Sequence, residues 1–202
     1  MNTTNGLPEI LQRFLALIAL VLLSPLLLLT MIAIRAESKG AIFFKQVRVG
    51  EQGRRFTMYK FRSMYMPDDP RYVDPAQLIS DRDGVCNKFK KDPRITCVGR
   101  IIRKLSIDEL PQLLNVLKGE MVLIGPRPAL PQETDAYDWY MLERLNTKSG
   151  LTGLWQVSGR ADTSFQEQID LDLRYVRERS WLLDLKIMLA TIPAVVTGKG
   201  AY

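Results

Sequence analysis

The 21 residues from Phe14 to Ile34 read FLALIALVLLSPLLLLTMIAI and carry no charge between Arg13 and Arg35. At 1.5 Å per residue, a straight helix over this run reaches about 30 Å, the depth of a bilayer's hydrocarbon core. A secretory signal would have a shorter apolar region and a small-residue cleavage site after it, and Ile34-Arg35-Ala36-Glu37 offers none. Ser24-Pro25 interrupts the run. Proline lacks an N–H and its ring crowds the carbonyl four residues back, here Val21, which predicts a kink or a break into two arms of about 15 Å each. The Ser24 hydroxyl is a nearby donor that can repair the freed Val21 carbonyl. Arg13 precedes the run, and Arg35, Lys39, Lys45 and Arg48 follow it. Two topologies stay open on these residues: a kinked transmembrane helix, and a hairpin returning to the cytoplasmic face, which basic flanks at both ends fit.

The rest of the chain is segregated by charge. Its 202 residues hold 28 Lys+Arg against 22 Asp+Glu, a net charge of +6, and no histidine. The missing histidine excludes an imidazole general base, a Ser-His-Asp or Cys-His nucleophile system and a His-ligated metal. Cys86 and Cys97 are too few for a four-thiolate zinc site or a disulfide framework. Acid, base and nucleophile must come from carboxylates, Lys, Tyr, Ser or Cys. Seven Lys/Arg fall within residues 36–62 and seven more within 88–104. Beside an apolar anchor, such clusters suit an anionic lipid surface or a phosphate-bearing ligand. No nucleic-acid-binding motif accompanies them, so a nucleic acid is not expected.

An N-terminal membrane segment, residues 1–35, and one core-forming domain, residues 36–202, divide the chain. Residues 41–44 and 56–61 read as short strands around the turn signal Val49-Gly50-Glu51-Gln52-Gly53. Residues 67–93 are rich in Pro, Asp and Gly and read as a loop. Helical patterns follow at 101–105 and from about 106 to 117, where Gly119 closes the helix. Further helices are expected over about 132–145 and 164–178, and a short strand within 150–160. The apolar tail 181–196 carries Asp184, Lys186 and Pro193, which predicts an interfacial element rather than a span. The fold class expected is α+β, mostly helical.

Ser106-Ile107-Asp108-Glu109-Leu110-Pro111 is the sharpest local feature. Ser106 and Glu109 fit a capping box, and Asp108 is an alternative N-cap that would ease Pro111 into the first turn. Either start leaves both carboxylates at a helix N-terminus, whose dipole favours their ionised forms and should keep Asp108 charged. They could serve only as caps. With Arg103 and Lys104 upstream they could instead attack phosphorus, hold a hard cation such as Mg²⁺ or Mn²⁺ and offset diphosphate charge. Gly125-Pro126-Arg127-Pro128 fixes one guanidinium between prolines, as a phosphate fork requires, or forms a turn with its Arg in water. Alternation puts Lys60 and Arg62 on one strand face, opposite Phe61. Asp170 and Asp172 are weaker candidates. Trp155 reads as core or interface.

These features, in order, resemble the bacterial sugar transferases, the monotopic phosphoglycosyl transferases. The resemblance rests on the Ser24-Pro25 segment, Tyr59-Lys60-Phe61-Arg62-Ser63-Met64, Asp92-Pro93-Arg94-Ile95-Thr96, Ser106 to Gln112, Gly119-Glu120-Met121, Gly125-Pro126-Arg127-Pro128, Gly150-Leu151-Thr152-Gly153, Trp155 to Arg160 and Leu183-Asp184-Leu185-Lys186-Ile187. It implies a re-entrant helix-break-helix at the N-terminus and a compact catalytic domain with interfacial amphipathic helices, on the cytoplasmic face of the bacterial inner membrane. It implies transfer of a sugar-1-phosphate from a UDP-sugar to undecaprenyl phosphate with release of UMP, starting exopolysaccharide or O-antigen-type glycans. Asp108 would be the nucleophile and Glu109 would support Mg²⁺ (or Mn²⁺) together with Asp108. Lys60, Arg62, Arg103, Arg127, Arg160 and Asp172 would bind or support substrate, with membrane lipids as surroundings and room for a homo-oligomer. Ser149 stands where the family usually has proline. The chain looks like the minimal catalytic form, without additional N-terminal transmembrane helices. The rival expectation is a non-enzymatic, membrane-anchored basic scaffold for anionic lipid or nucleic acid.

Overall fold

The protein is seen as a computed structural model describing residues 6–74, 92–159 and 163–198. Residues Glu9–Glu37 form one helix, α1, the only described helix long and apolar enough to cross a membrane. It runs without interruption through Pro25, which corrects the expected break into two arms. Part of the reason is the anticipated repair: Ser24 Oγ donates to the Val21 carbonyl at 2.7 Å. One stripe of α1, including Phe14, Leu17, Val21, Leu22 and Leu29, is exposed, and the other stripe packs on the domain. Ala16 sits in a cluster with Leu113, Val116 and Met121, and Ile34 in a second with Phe61 and Ile102.

Strands β1 (Phe43–Val49) and β2 (Arg55–Phe61) pair antiparallel, with Phe44 opposite Lys60 and Gln46 opposite Met58. Helix α2 (Cys97–Lys104) begins earlier than its apolar pattern, because Thr96 Oγ1 accepts from the Gly99 N–H at 2.8 Å. After it, residues Ile107–Gln112 form a 3-10 turn rather than the start of an α-helix. Pro111 has no N–H and its ring crowds the Ile107 carbonyl, so the tighter turn wins. Ser106 precedes it at φ 54° and makes no side-chain cap, so the expected capping box does not form. Helix α3 (Leu113–Lys118) ends at Gly119, in the left-handed region at φ 78°, as the sequence predicts.

Strand β3 (Val122–Ile124) pairs parallel with β4 (Gly150–Thr152). The helix expected over 132–145 is instead α4 (Pro131–Asp135), α5 (Trp139–Leu142) and a 3-10 turn, Glu143–Asn146. Asp138 restarts the helix by accepting from the Met141 N–H at 2.8 Å. The strand expected within 150–160 stops at Thr152, and α6 (Leu154–Ser158) follows. Helix α7 (Phe165–Glu178) starts on a capping box of Ser164 and Glu167, and α8 (Trp181–Thr197) takes up the apolar tail. Ile124, Tyr175 and Ile187 form a third core cluster that ties α7 and α8 to β3.

Candidate active site

The hairpin, the 3-10 turn, the segment after β3, α1 and α8 enclose a cavity of about 970 Å³. Asp108, Glu109, Lys60, Arg103 and Arg127 all line it. The residues singled out in sequence from four separate segments therefore share one space. Lys60 reaches across from β2 and its Nζ lies 2.5 Å from Glu109 Oε1.

Asp108 is only 8% exposed. Burial pushes its carboxyl from the ordinary 3.8 up to about 6, against the pull of Lys60, while neighbouring Glu109 adds to the rise. This corrects the expectation that a helix dipole decides its charge: a 3-10 turn of six residues has little dipole, and desolvation outweighs it. At pH 7 a group with that pKa is still mostly ionised. The carboxylate is thus both charged and poorly solvated, a condition that favours attack on an electrophile.

Arg127 is held from both sides. Its Nη1 lies 3.2 Å from Glu133 Oε1, and Glu133, 2% exposed, also accepts from the Leu130 N–H at 2.5 Å. Behind the loop, Arg144 Nη2 donates to the Arg127 carbonyl at 3.0 Å and also to Asp172 Oδ2. Asp172 is fully buried and does not line the cavity, so its link to the site runs through Arg144 and the Arg127 backbone. Burial lifts its carboxyl to about 6, with Arg144 pulling the other way. From the hairpin, Arg48 Nη1 donates to the Pro128 carbonyl at 3.1 Å, and Val49 and Ala129 exchange backbone hydrogen bonds of 2.9 and 3.2 Å.

Arg62 departs from expectation. The strand ends at Phe61, the alternation lapses, and the Arg62 guanidinium donates to the Ser38 and Lys39 carbonyls at the end of α1. It is a strut for the anchor and does not line the cavity. Ser24 and Pro25 remain within α1, and Arg160 lies outside the described residues. Trp155 is buried in the cavity wall, its indole N–H donating to Thr163 Oγ1 at 2.7 Å. Asp170 stays at the surface with Tyr140 and Gln166.

Hard cations take oxygen ligands, and Mg²⁺ draws on one or two carboxylates and completes its shell from phosphates and water. Asp108 and Glu109 are carboxylates in the cavity that could supply such ligands, Glu109 while it also holds Lys60, and among the described residues no three of His, Cys, Asp or Glu gather as a metal site. The sequence reading missed Glu133, Arg144, Gln46 and Arg48. Only the last two carried a signal: a hairpin turned at residues 50–53 pairs Gln46 with Met58, two residues before Lys60, and so puts all three side chains on one face.

A family model described as bacterial sugar transferase matches residues 4–198. The exopolysaccharide production protein ExoY of Sinorhizobium fredii is 43% identical over 193 residues, covering 93% of this chain and 84% of that protein. The undecaprenyl-phosphate galactose phosphotransferase of Salmonella typhimurium is 39% identical over 219 residues, all of this chain and 44% of that protein. The undecaprenyl-phosphate glucose phosphotransferase of Komagataeibacter xylinus is 39% identical over 199 residues, or 93% and 35% of the two chains.

Proposed function

The chain belongs to the bacterial sugar transferases, and from that premise we propose that it moves a sugar-1-phosphate from a UDP-sugar to undecaprenyl phosphate and releases UMP. The observation that carries the proposal is the joint placement of a buried carboxylate, Asp108, a Lys60–Glu109 ion pair and the cations Arg103 and Arg127 around one cavity. A basic scaffold would need its cations facing outward and gains nothing from a desolvated acid beside them.

A carboxylate oxygen of Asp108 attacks the phosphorus that bears the sugar. A P–O bond forms, the P–O bond to the UMP phosphate breaks, and UMP leaves with the electron pair. The phospho-sugar is now an acyl phosphate on Asp108. An oxygen of undecaprenyl phosphate attacks the same phosphorus, and the Asp108 carboxylate departs unchanged. Lys60, Arg103 and Arg127 hold phosphoryl oxygens throughout. Mg²⁺ or Mn²⁺, held by Asp108 and Glu109, would add Lewis-acid stabilisation of phosphoryl charge. The apolar side of the cavity, with Ala19 and Leu23 of α1 and Met188, Ile192 and Val196 of α8, suits the polyprenyl chain.

The test is UMP release by the purified chain from UDP-sugars, with and without undecaprenyl phosphate. Release that needs a UDP-sugar supports the reading, and its absence with every UDP-sugar and divalent cation tried overturns it. Because the ionised form of Asp108 is the nucleophile, kcat/KM is expected to rise with pH through about 6, not through the ordinary carboxylate range near 4. A pH–rate profile that is flat from 5 to 8 would remove Asp108 from that role.

We place both ends of α1 at the cytoplasmic face. At its start, Asp184 Oδ2 accepts from the Leu7 N–H at 2.7 Å, Gln12 Oε1 accepts from Leu123 at 2.8 Å, and Lys148 pairs with Glu9 at 2.6 Å. At its end, Glu37 accepts from the N–H groups of Cys97 and Val98, at 2.6 and 3.0 Å. A helix of this length spans about 43 Å, so crossing a bilayer would pull one set of contacts from the domain. A cysteine at Asn2, in a chain with Cys86 and Cys97 replaced by serine, is expected to resist an impermeant thiol reagent in intact cells. Labelling there without permeabilisation would contradict this topology.

A further inference from the structure

Beside Lys60 the hairpin presents two polar side chains, Gln46 and Arg48, that the proposed chemistry does not use. Gln46 pairs with Met58 and Phe44 with Lys60, so Gln46, Arg48, Met58 and Lys60 share one face, and all four line the cavity. On that face Gln46 sits one diagonal step from Lys60, about 7 Å between backbone positions. On its other side is Arg48, bonded to the Pro128 carbonyl beside Arg127. Gln46 therefore stands between the Lys60–Glu109 pair and the Arg127 loop.

Its amide is oriented. Arg48 Nη2 lies 2.7 Å from Gln46 Oε1. A guanidinium has donors only, so the Gln46 atom facing it must be the oxygen. The two amide N–H groups are left for another acceptor, at a point with cations to either side. Resting on the transferase reading above, we propose that Gln46 is a substrate-binding residue whose amide N–H donates to a phosphoryl oxygen of the group held between Lys60 and Arg127. Phosphoryl oxygens only accept, and this stretch of wall offers a donor flanked by positive charge, where a sugar hydroxyl would gain nothing from the cations.

The test compares wild type, Gln46→Glu and Gln46→Leu in UMP release, varying the UDP-sugar and undecaprenyl phosphate in turn. Glutamate keeps an acceptor for Arg48 and so preserves the strut while replacing the donor with an anion. Gln46→Leu is expected to raise KM for one substrate about 10- to 100-fold, the loss of a hydrogen bond to a charged acceptor. Gln46→Glu should raise it at least as far, with kcat within a few-fold and an unchanged melting temperature. A rise for the UDP-sugar assigns the contact to the nucleotide donor, and a rise for the lipid assigns it to the acceptor phosphate. Unchanged KM values for both substrates in Gln46→Glu, with wild type active, overturn the inference. So does Gln46→Glu behaving as wild type while Gln46→Leu melts early, which would make the residue a strut alone. A wild type that releases no UMP would instead sink the transferase reading itself.

Discussion

Asp108→Asn is expected to abolish UMP release, by on the order of 10³-fold or more, while leaving the protein at least as stable as wild type. The loss follows from the attacking atom: an amide oxygen is too weak a nucleophile to displace UMP, and about 4 kcal/mol of barrier corresponds to that factor. The stability follows from burial. The folded carboxyl titrates at about 6 and the unfolded one near 3.8, so the folded state prefers the protonated form. The stability this represents is present at low pH and is lost as pH rises through about 6. At neutral pH the charged Asp108 therefore costs the fold, by about 3 kcal/mol. Asparagine keeps the shape and removes the charge, so thermal unfolding at pH 7.5 should shift upward or stay level. An inactive variant that also unfolds early would mean Asp108 is structural, and an active one would dismiss it as nucleophile.

Arg144→Met is expected to produce the largest loss of stability. It would leave Asp172 fully buried without its ion-pair partner, and breaking such a pair costs about 3–5 kcal/mol. For about 200 residues this is a fall in Tm of roughly 6–20 °C, read by thermal unfolding in detergent. Replacing both partners, Arg144→Met with Asp172→Leu, should recover much of it, because no charge is then stranded. Activity should fall in the single variant even well below its Tm, since the Arg127 carbonyl loses the guanidinium that holds it. Equal melting of the single and double variants would contradict this account of the pair.

How far the sequence reached depends on whether a feature is local. The Asp108-Glu109 pair, the Gly119 helix stop, the Ser164 cap and the Ser24 repair of Val21 each involve residues within a few positions, and their chemistry is legible in order. The capping box at Ser106 misled because the same six residues contain Pro111, and proline's demands outranked the cap. Of the two residues that one alternation puts on a shared face, Lys60 lines the cavity and Arg62 does not, because the strand ends between them and Arg62 turns to the carbonyls after α1. The clasp on Arg127 was illegible. Glu133 lies six residues from Arg127, but Arg144 and Asp172 lie 17 and 45 residues away, and only the packing of the 143–146 turn and α7 behind the loop brings those two in. Asp108's shifted pKa was also out of reach, since it depends on how completely the hairpin and the turn exclude water.

The most direct test of the central claim is intact-mass spectrometry of the protein mixed with a UDP-sugar and Mg²⁺, without lipid acceptor. The mechanism predicts a mass increase of one sugar phosphate on wild type, mapped to Asp108, lost on adding undecaprenyl phosphate and absent from Asp108→Asn. A wild type that turns over with both substrates yet takes up no sugar phosphate on Asp108, even under rapid quenching, would contradict it.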